Sequence, residues 1–380
     1  MSAARPLRVL HAVTLHSPTH AFGGPVRVAL NLCRGLAGRG HTARLVALGD
    51  GFDGPLPTEV EGVPTRLYPA RSILPLGFSG ITSPALLAGA HGLVRDADVV
   101  HVHLARDLVT LPVALAALRA GRPLVLQTHG MVDPSDKLLA KVLDAVAVRR
   151  VLRRSSAVLY LTGHERKGLD AVVGGLLEQS VRLVNGVPAQ KARPAPSGPP
   201  RILYAARLQS RKRPRDFVAA APEILRRHPD AEFVLAGPDE GERAGVDALI
   251  AELGLEDRIS RPGALSSERM LEELRRAHVY VLPSVDEPFP MSVLESLSVG
   301  TPAVVTTSNG LARDISGAGA GRVVDDADGL APAVLDLLEP SENETASVAA
   351  RKLATEAFSM DAVLDTLLDV YGTAVRRGGR

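Results

Sequence analysis

Short apolar, β-branched runs alternate with longer stretches of helical periodicity along nearly the whole chain. Leu7–Val13, His41–Leu48, Val63–Tyr68, Val99–His103, Pro123–Gln127, Ala157–Leu161 and Val181–Val184 read as buried strands. A second series begins at RILYA (201–205) and continues with Ala231–Ala236, Val279–Leu282, Thr301–Thr307 and Arg322–Val324. This alternation predicts parallel, doubly wound α/β sheets, in which ligands meet the carboxyl ends of the strands. Pro188–Pro200, with five prolines and no periodicity, predicts a linker with exposed polar residues. Ser359–Arg376 reads as a final amphipathic helix.

The most informative stretch is Val279–Leu311. Its strand ends at Pro283, an acidic loop carries Asp286, Glu287 and Pro288, and Pro290 opens a helix that Gly300 closes. Glu287 and Glu295 are eight positions apart, with the free amides of the helix's first turn between them. Such amides form an anion site, here with a carboxylate on either side. That layout suits a nucleotide sugar, and spacing alone equally allows two solvated glutamates. Pro290 has no N–H to donate, so Met291, Ser292 and Val293 are the amide candidates.

At 380 residues the chain accommodates two domains with separate cores. One cysteine, Cys33, excludes an intramolecular disulfide and a cysteine zinc site. The start of the sequence enters a strand at once, and no apolar run reaches membrane-spanning length, so a cytoplasmic enzyme is expected. Residues 1–190 hold 21 Lys+Arg and 13 Asp+Glu (+8), and the remainder 23 and 29 (−6). The basic half suits an anionic acceptor or the inner face of a membrane. It is too weakly basic and too poor in aromatics for nucleic acid.

Within that half, Gly23 and Gly24 precede a helix at Pro25 and allow close approach to its N-terminus. They do not form the G-x-G-x-x-G dinucleotide fingerprint. His129 lies at a strand end, and His101 and His103 end another, where cleft contact and packing are both open. Asp133 and Asp136 are candidates for acceptor hydroxyls or for helix capping with Ser135. Arg149, Arg150, Arg153 and Arg154 form a basic helix face, solvated or in contact with phosphate. Arg71–Gly92, broken by prolines and glycines, reads as a mobile loop or short helices facing the cleft. Asp96-Ala97-Asp98 has the spelling of a metal-binding pair but precedes a buried strand, so no metal is assigned. In the second half Arg207 and Lys212 flank a strand-to-helix loop, and Arg258-Ile259 opens DRISRPG.

Together these motifs resemble the retaining glycosyltransferases of family four (glycosyltransferase group 1). The Glu-x7-Glu pair Glu287/Glu295 and the Arg-x4-Lys pair Arg207/Lys212 match the family's specific motifs in order. Pro288 and Pro290 replace glycines of its Glu-Gly-Phe-Gly, and Arg213 replaces a common glycine. The resemblance implies the GT-B fold, two facing Rossmann-like domains with an interdomain cleft. An N-terminal acceptor-side domain would span 1–190, a proline-rich linker 191–200 and a C-terminal nucleotide-sugar domain 201–358. A helix at 359–380 would cross back to the first domain.

The resemblance further implies transfer, with retention, from a nucleoside-diphosphate sugar, UDP-sugar foremost, without a metal or other cofactor. Glu287 would contact the sugar, Glu295 the ribose, Arg207 and Lys212 the pyrophosphate and His129 the sugar and phosphate. Gly23 and Gly24 would lie beside phosphate, and the backbone at Arg258 and Ile259 would read the base. The segment after His129 resembles the acceptor side of members that assemble bacterial surface polysaccharide. A glycan, lipid-linked or small-molecule acceptor is expected, with secondary-metabolite glycosylation as the alternative. A phosphorylase, an epimerase or a silent binding protein on the same fold are the remaining readings.

Overall fold

The structure, a computed structural model, describes residues 5–18, 23–73 and 80–378. These residues form two compact units, one of 5–18, 23–186 and 360–378 and the other of 187–359.

The first unit contains β1 (Arg8–His16), β2 (Thr42–Gly49), β3 (Glu59–Val60), β4 (Val63–Pro69), β5 (Arg71–Ser72), β6 (Ile81–Thr82), β7 (Val99–His103), β8 (Leu124–Gln127), β9 (Ala157–Tyr160) and β10 (Ser180–Arg182). Among the described residues, eight of these strands form a sheet in the order β10-β9-β8-β7-β1-β2-β4-β3. The pairs are parallel except for the short β3–β4 edge. Central strands such as β1 and β7 are buried almost end to end, as near-continuous apolar runs require. The terminal helix Met360–Gly378 packs on the helix Gly23–Gly38 and on β7 and β8. Leu364, Leu367 and Tyr371 supply its buried face.

The second unit holds β11 (Arg201–Ala205), β12 (Glu232–Ala236), β13 (Ile259–Gly263), β14 (Val279–Leu282), β15 (Ala303–Thr306) and β16 (Gly321–Val324). They form one parallel sheet in the order β13-β12-β11-β14-β15-β16. Sequence order reverses between β11 and β14, so the loops after these two strands leave one sheet edge side by side, the ordinary ligand position in a doubly wound fold.

Three expectations change. Residues 187–200 belong to the second unit; 191–200 have no helix or strand and are mostly exposed, as expected of the segment, except that Arg193 anchors it. Arg193 is buried: it donates to the Ala277 and His278 carbonyls (2.7 and 3.2 Å) and to Asn343. A guanidinium that takes three carbonyl-type acceptors is held in the interior by them. Within 71–92 the described part is β5, β6 and the helix Pro84–Arg95, and 74–79 lie outside the described residues. The basic face is not uniformly solvated, because Arg149 and Arg153 donate to the carbonyls of Val172 and Val173 (2.8 and 2.6 Å). These are the last residues of the helix Gly163–Val173, where a cation meets the negative end of the dipole.

Candidate active site

After β11 the chain turns through Arg207 and a 3-10 turn, Ser210–Lys212, before the helix Pro214–Arg227. Lys212 and Glu287 are each 8% exposed, and Lys212 Nζ donates to the Glu287 carboxylate. Burial holds the lysine below its ordinary pKa, and the carboxylate opposes that shift by favouring the charged amine. Arg211 lies 3.9 Å from the same carboxylate and donates to the Asp286 carbonyl at 3.1 Å. Arg207 grips Glu240 with both carboxylate oxygens at 2.9 and 3.0 Å. Three cations thus occupy one loop at the carboxyl end of β11.

The loop after β14 is held as tightly. Asp286 has a left-handed backbone (φ 50°), and its N–H donates to Ser308 Oγ at 3.2 Å. The Gly310 N–H donates to the Glu287 carbonyl at 2.7 Å. A Cβ at position 310 would sit 1.8 Å from the Pro288 carbonyl oxygen, so only glycine lets the two loops touch. Pro290 has extended backbone at the N-cap, and the helix Met291–Val299 follows. The first amide that closes back within it is Leu294, onto the Pro290 carbonyl, which leaves Met291, Ser292 and Val293 ahead of the helical bonding. Met291 and Val293 are buried, and Ser292 and Glu295 are half-buried. The Tyr280 hydroxyl donates to the Ala205 carbonyl (2.9 Å) and lies 2.8 Å from Ser292 Oγ, so Ser292 is the donor there. Burial raises the Tyr280 phenol, and the charges of Glu295 and Glu287 both add to the shift. One phenol therefore senses both carboxylates of the Glu-x7-Glu pair.

Arg258 and Ile259 are misplaced for reading a base. They stand at the amino end of β13, the edge opposite to Arg207 and Glu287 in this parallel sheet. Their backbone is already engaged, Arg258 O by Phe233 N (2.9 Å) and Ile259 N by Leu255 O (3.0 Å). The same segment reaches the correct edge only at Gly263, whose carbonyl accepts from Gly237 N at 2.9 Å.

In the first unit His129 follows β8 with a left-handed backbone (φ 51°), a conformation that needs outside support. Glu165 supplies it. Buried, it accepts from Thr128 Oγ1, Gly130 N and Leu161 N, each at 2.6 Å, and so clamps both neighbours of His129. Burial pushes His129 down to about 3. Gly23 and Gly24 begin the helix Gly23–Gly38, and a Cβ at Gly24 would meet open space. Asp133 and Asp136 are exposed and ion-pair with Arg106 (3.6 Å) and Lys141 (3.2 Å). Ser135 Oγ accepts from Lys137 N at 3.4 Å, a turn bond ahead of the helix Leu138–Leu143.

Of cleft contact, on the acceptor side, and packing, His101 and His103 take packing, which corrects their candidacy as acceptor-side residues. They are 0% and 1% exposed, because both side chains point to the same packed face of β7. Both His103 nitrogens are used, Nδ1 by His129 Nε2 (2.7 Å) and Nε2 by His11 Nδ1 (3.1 Å). His101 Nδ1 meets the Tyr371 hydroxyl at 2.6 Å. Asp98 of the Asp-Ala-Asp spelling is taken by Arg8, through its backbone N–H (2.9 Å) and its guanidinium.

Comparison with known proteins agrees with this arrangement. The family model for "Glycosyl transferases group 1" matches residues 188–352, and that for the "Glycosyl transferase 4-like domain" matches residues 23–186. A glycogen synthase of Mycobacterium tuberculosis is 30% identical over 302 residues, covering 74% of this chain and 70% of its own. The chain belongs to the family-four, group 1 glycosyltransferases. A D-inositol 3-phosphate glycosyltransferase of Xylanimonas cellulosilytica is 28% identical and spans nearly the full length, 97% of this chain and 96% of its own. The Anabaena protein HepE, solved with UDP and glucose, superposes with a TM-score of 0.76 at 19% identity. That match covers 96% of this chain and 99% of the HepE chain and bears out the GT-B fold class.

Several residues of this glycosyltransferase were not visible to motif reading. Glu240, Glu165, Gly310, His11 and Tyr371 each act through a contact far away in sequence. Glu165 alone carried a local signal, three residues after Thr162, whose hydroxyl accepts from the Glu165 N–H at 3.2 Å as an N-cap.

Proposed function

We propose that this glycosyltransferase moves a sugar from a nucleoside-diphosphate sugar, UDP-sugar foremost, to an acceptor hydroxyl with retention of configuration. The observation that carries the reading is the buried Lys212–Glu287 pair beside the amides of the helix Met291–Val299. When the glycosidic bond to the diphosphate breaks, negative charge grows on the leaving oxygen. Lys212, Arg207, Arg211 and the free amides can stabilise it, an effect of about 3–4 kcal/mol per well-placed donor. We take these cations, not a metal ion, to neutralise the diphosphate. The acceptor oxygen bonds to the anomeric carbon, and its proton passes to the departing phosphate oxygen. Glu287 orients sugar hydroxyls, Glu295 the ribose, and His129 meets a substrate hydroxyl in the first unit.

The acceptor we propose is a glycan or lipid-linked glycan of polysaccharide assembly, at the cytoplasmic face of a membrane. The names of the glycogen synthase and inositol-phosphate relatives support a hydroxyl acceptor. Among the described residues no helix is long and apolar enough to cross a membrane. The exposed Leu138 and Val146 (78% and 73%) close to Lys137, Lys141 and Arg150 suit peripheral contact with one. Proton NMR of the product formed from an α-linked UDP-sugar tests the reaction. An α-glycoside supports the proposal, and a β-glycoside or release of free sugar alone overturns it.

A further inference from the structure

From Leu138 to Arg154 the first unit carries one continuous helix, made of Leu138–Leu143, a wider turn at Asp144–Val148, and Arg149–Arg154. Its inner face, with Ala140, Ala147, Val148, Val151 and Leu152, is buried. Its outer face begins apolar as well. Leu138, Val142 and Val146, four residues apart, are all exposed, and Leu139 lies beside them. The same stripe ends in Arg149, Arg150, Arg153 and Arg154, also exposed. Packing on the sheet needs one apolar face, so the outer one has another use.

A second element extends the patch. Arg149 and Arg153 donate to the Val172 and Val173 carbonyls, and Leu176, 78% exposed, follows three residues after Val173 on the Gly174-Gly175 turn. That turn folds back on its own helix: Gly175 N donates to the Asp170 carbonyl at 3.0 Å and Leu177 N to the Asp170 carboxylate at 2.9 Å. Among the described residues nine large hydrophobic side chains are exposed, and Leu138, Leu139, Val142, Val146 and Leu176 are five of them. Singly scattered apolar side chains need no explanation, whereas a gathered patch marks an interaction site.

The charge around the patch has one sign. Lys137 and Lys141 are exposed beside its apolar part, and the four arginines continue it. The one carboxylate between residues 137 and 154, Asp144, is buried and taken by Arg106 at 2.7 and 3.0 Å. Asp136 offsets a single cation, Lys141, at 3.2 Å. The patch contains no aromatic side chain, whereas the core of a protein interface gathers aromatics and sheds lysine. Aliphatic side chains flanked by long cations fit the boundary of headgroup and acyl chain. There Leu and Val enter the apolar layer while Lys and Arg reach back to phosphate.

We propose that this face docks the protein on a bilayer that contains anionic lipid. Arg106 ties the docked helix to the segment after His129, because besides holding Asp144 it donates to the Asp133 carbonyl at 2.6 Å. Docked in this way, the protein takes an acceptor anchored in the same bilayer. The acceptor rests on the function proposed above; the lipid binding rests on the patch alone.

The test is flotation of the purified protein with vesicles of phosphatidylcholine alone, or with roughly one-third phosphatidylglycerol. The wild type should float with the anionic vesicles and not with the neutral ones. The bound fraction should fall as salt rises from about 0.1 to about 1 M, which shortens the screening length from ~10 to ~3 Å. Leu138→Asp with Val146→Asp should abolish flotation, and Leu176→Asp, on the separate element, should weaken it several-fold. Arg150→Ala with Arg154→Ala should lower the partition coefficient roughly tenfold. All three variants change exposed side chains, so each should keep the wild-type melting temperature and its thermal shift with nucleoside diphosphate. No flotation, equal flotation with neutral vesicles, or flotation that survives these substitutions overturns the proposal. So does a dimer in sedimentation that Leu138→Asp with Val146→Asp dissolves while no vesicle binds, since the patch then joins two copies of the chain. Flotation as expected from a protein that no nucleoside diphosphate stabilises would support the docking surface and count against the proposed function.

Discussion

Lys212 and Glu287, 75 residues apart in sequence, meet as a buried ion pair where the loops after β11 and β14 run side by side. Removing one partner of such a pair leaves an uncompensated charge and costs about 3–5 kcal/mol. Lys212→Ala and Glu287→Ala should each lower the urea midpoint and reduce transfer by roughly a hundredfold or more. Lys212→Met with Glu287→Leu should recover stability without recovering turnover. Near-normal turnover in either single variant would remove the pair from the site.

Arg207 is held by Glu240, and both side chains are partly exposed, about a third each (34% and 28%). An exposed pair of this kind contributes at most about 1 kcal/mol. Glu240→Gln should leave the urea midpoint nearly unchanged and free the guanidinium for phosphate. Calorimetric titration should show tighter nucleoside diphosphate binding at low salt, with the gain fading as salt rises. Weaker binding in the variant would mean that Glu240 orients Arg207 and does not compete for it.

The fold was legible because buried parallel strands read as unbroken apolar runs. Val99–His103 and Val279–Leu282 have the same bounds in sequence and structure. The loops that carry Lys212 and Glu287 were legible from charge and proline punctuation at strand ends. Arg258-Ile259 lies at the amino end of its strand, and the order of a motif along the chain says nothing of which strand end faces a ligand. The VVHVHL run left cleft contact and packing both open, and strand alternation turns both histidines toward the same packed face. The proline-rich segment is irregular and mostly exposed as read, but its anchoring was not legible, because the burial of Arg193 depends on Asn343, 150 residues away.

Glu165 accepts three hydrogen bonds around His129, two of them from backbone amides that have no other partner to replace it. Glu165→Ala should destabilise the protein by on the order of 3 kcal/mol and relax the left-handed turn at His129. Thermal unfolding and turnover should fall together, and Glu165→Gln, which keeps one acceptor oxygen, should recover part of both. A variant as stable as wild type would show that the turn holds itself.

The buried histidines make a signed prediction about pH. His11 is pushed by burial from 6.5 to about 3, so below 6.5 the unfolded chain binds a proton that the folded one refuses. Its contribution is therefore complete above about 6.5 and is lost as pH falls toward about 3, at roughly 1.4 kcal/mol per unit. His101, His103 and His129 are shifted in the same direction. Urea midpoints should fall steeply from pH 6.5 to 4.5, and less steeply in His11→Gln. A flat profile across that range would mean that the cluster is charged or open to water.

The central claim is that the cations and carboxylates at the carboxyl ends of β11 and β14 bind a nucleoside diphosphate. Thermal shift with UDP, GDP, ADP and TDP, in the presence of EDTA, tests it most directly. A ligand at a hundred times its dissociation constant should add about 2.7 kcal/mol of stability. One nucleotide should raise the melting temperature of the wild type by several degrees and leave Lys212→Ala unmoved. No shift with any of the four, or an equal shift in Lys212→Ala, would contradict it.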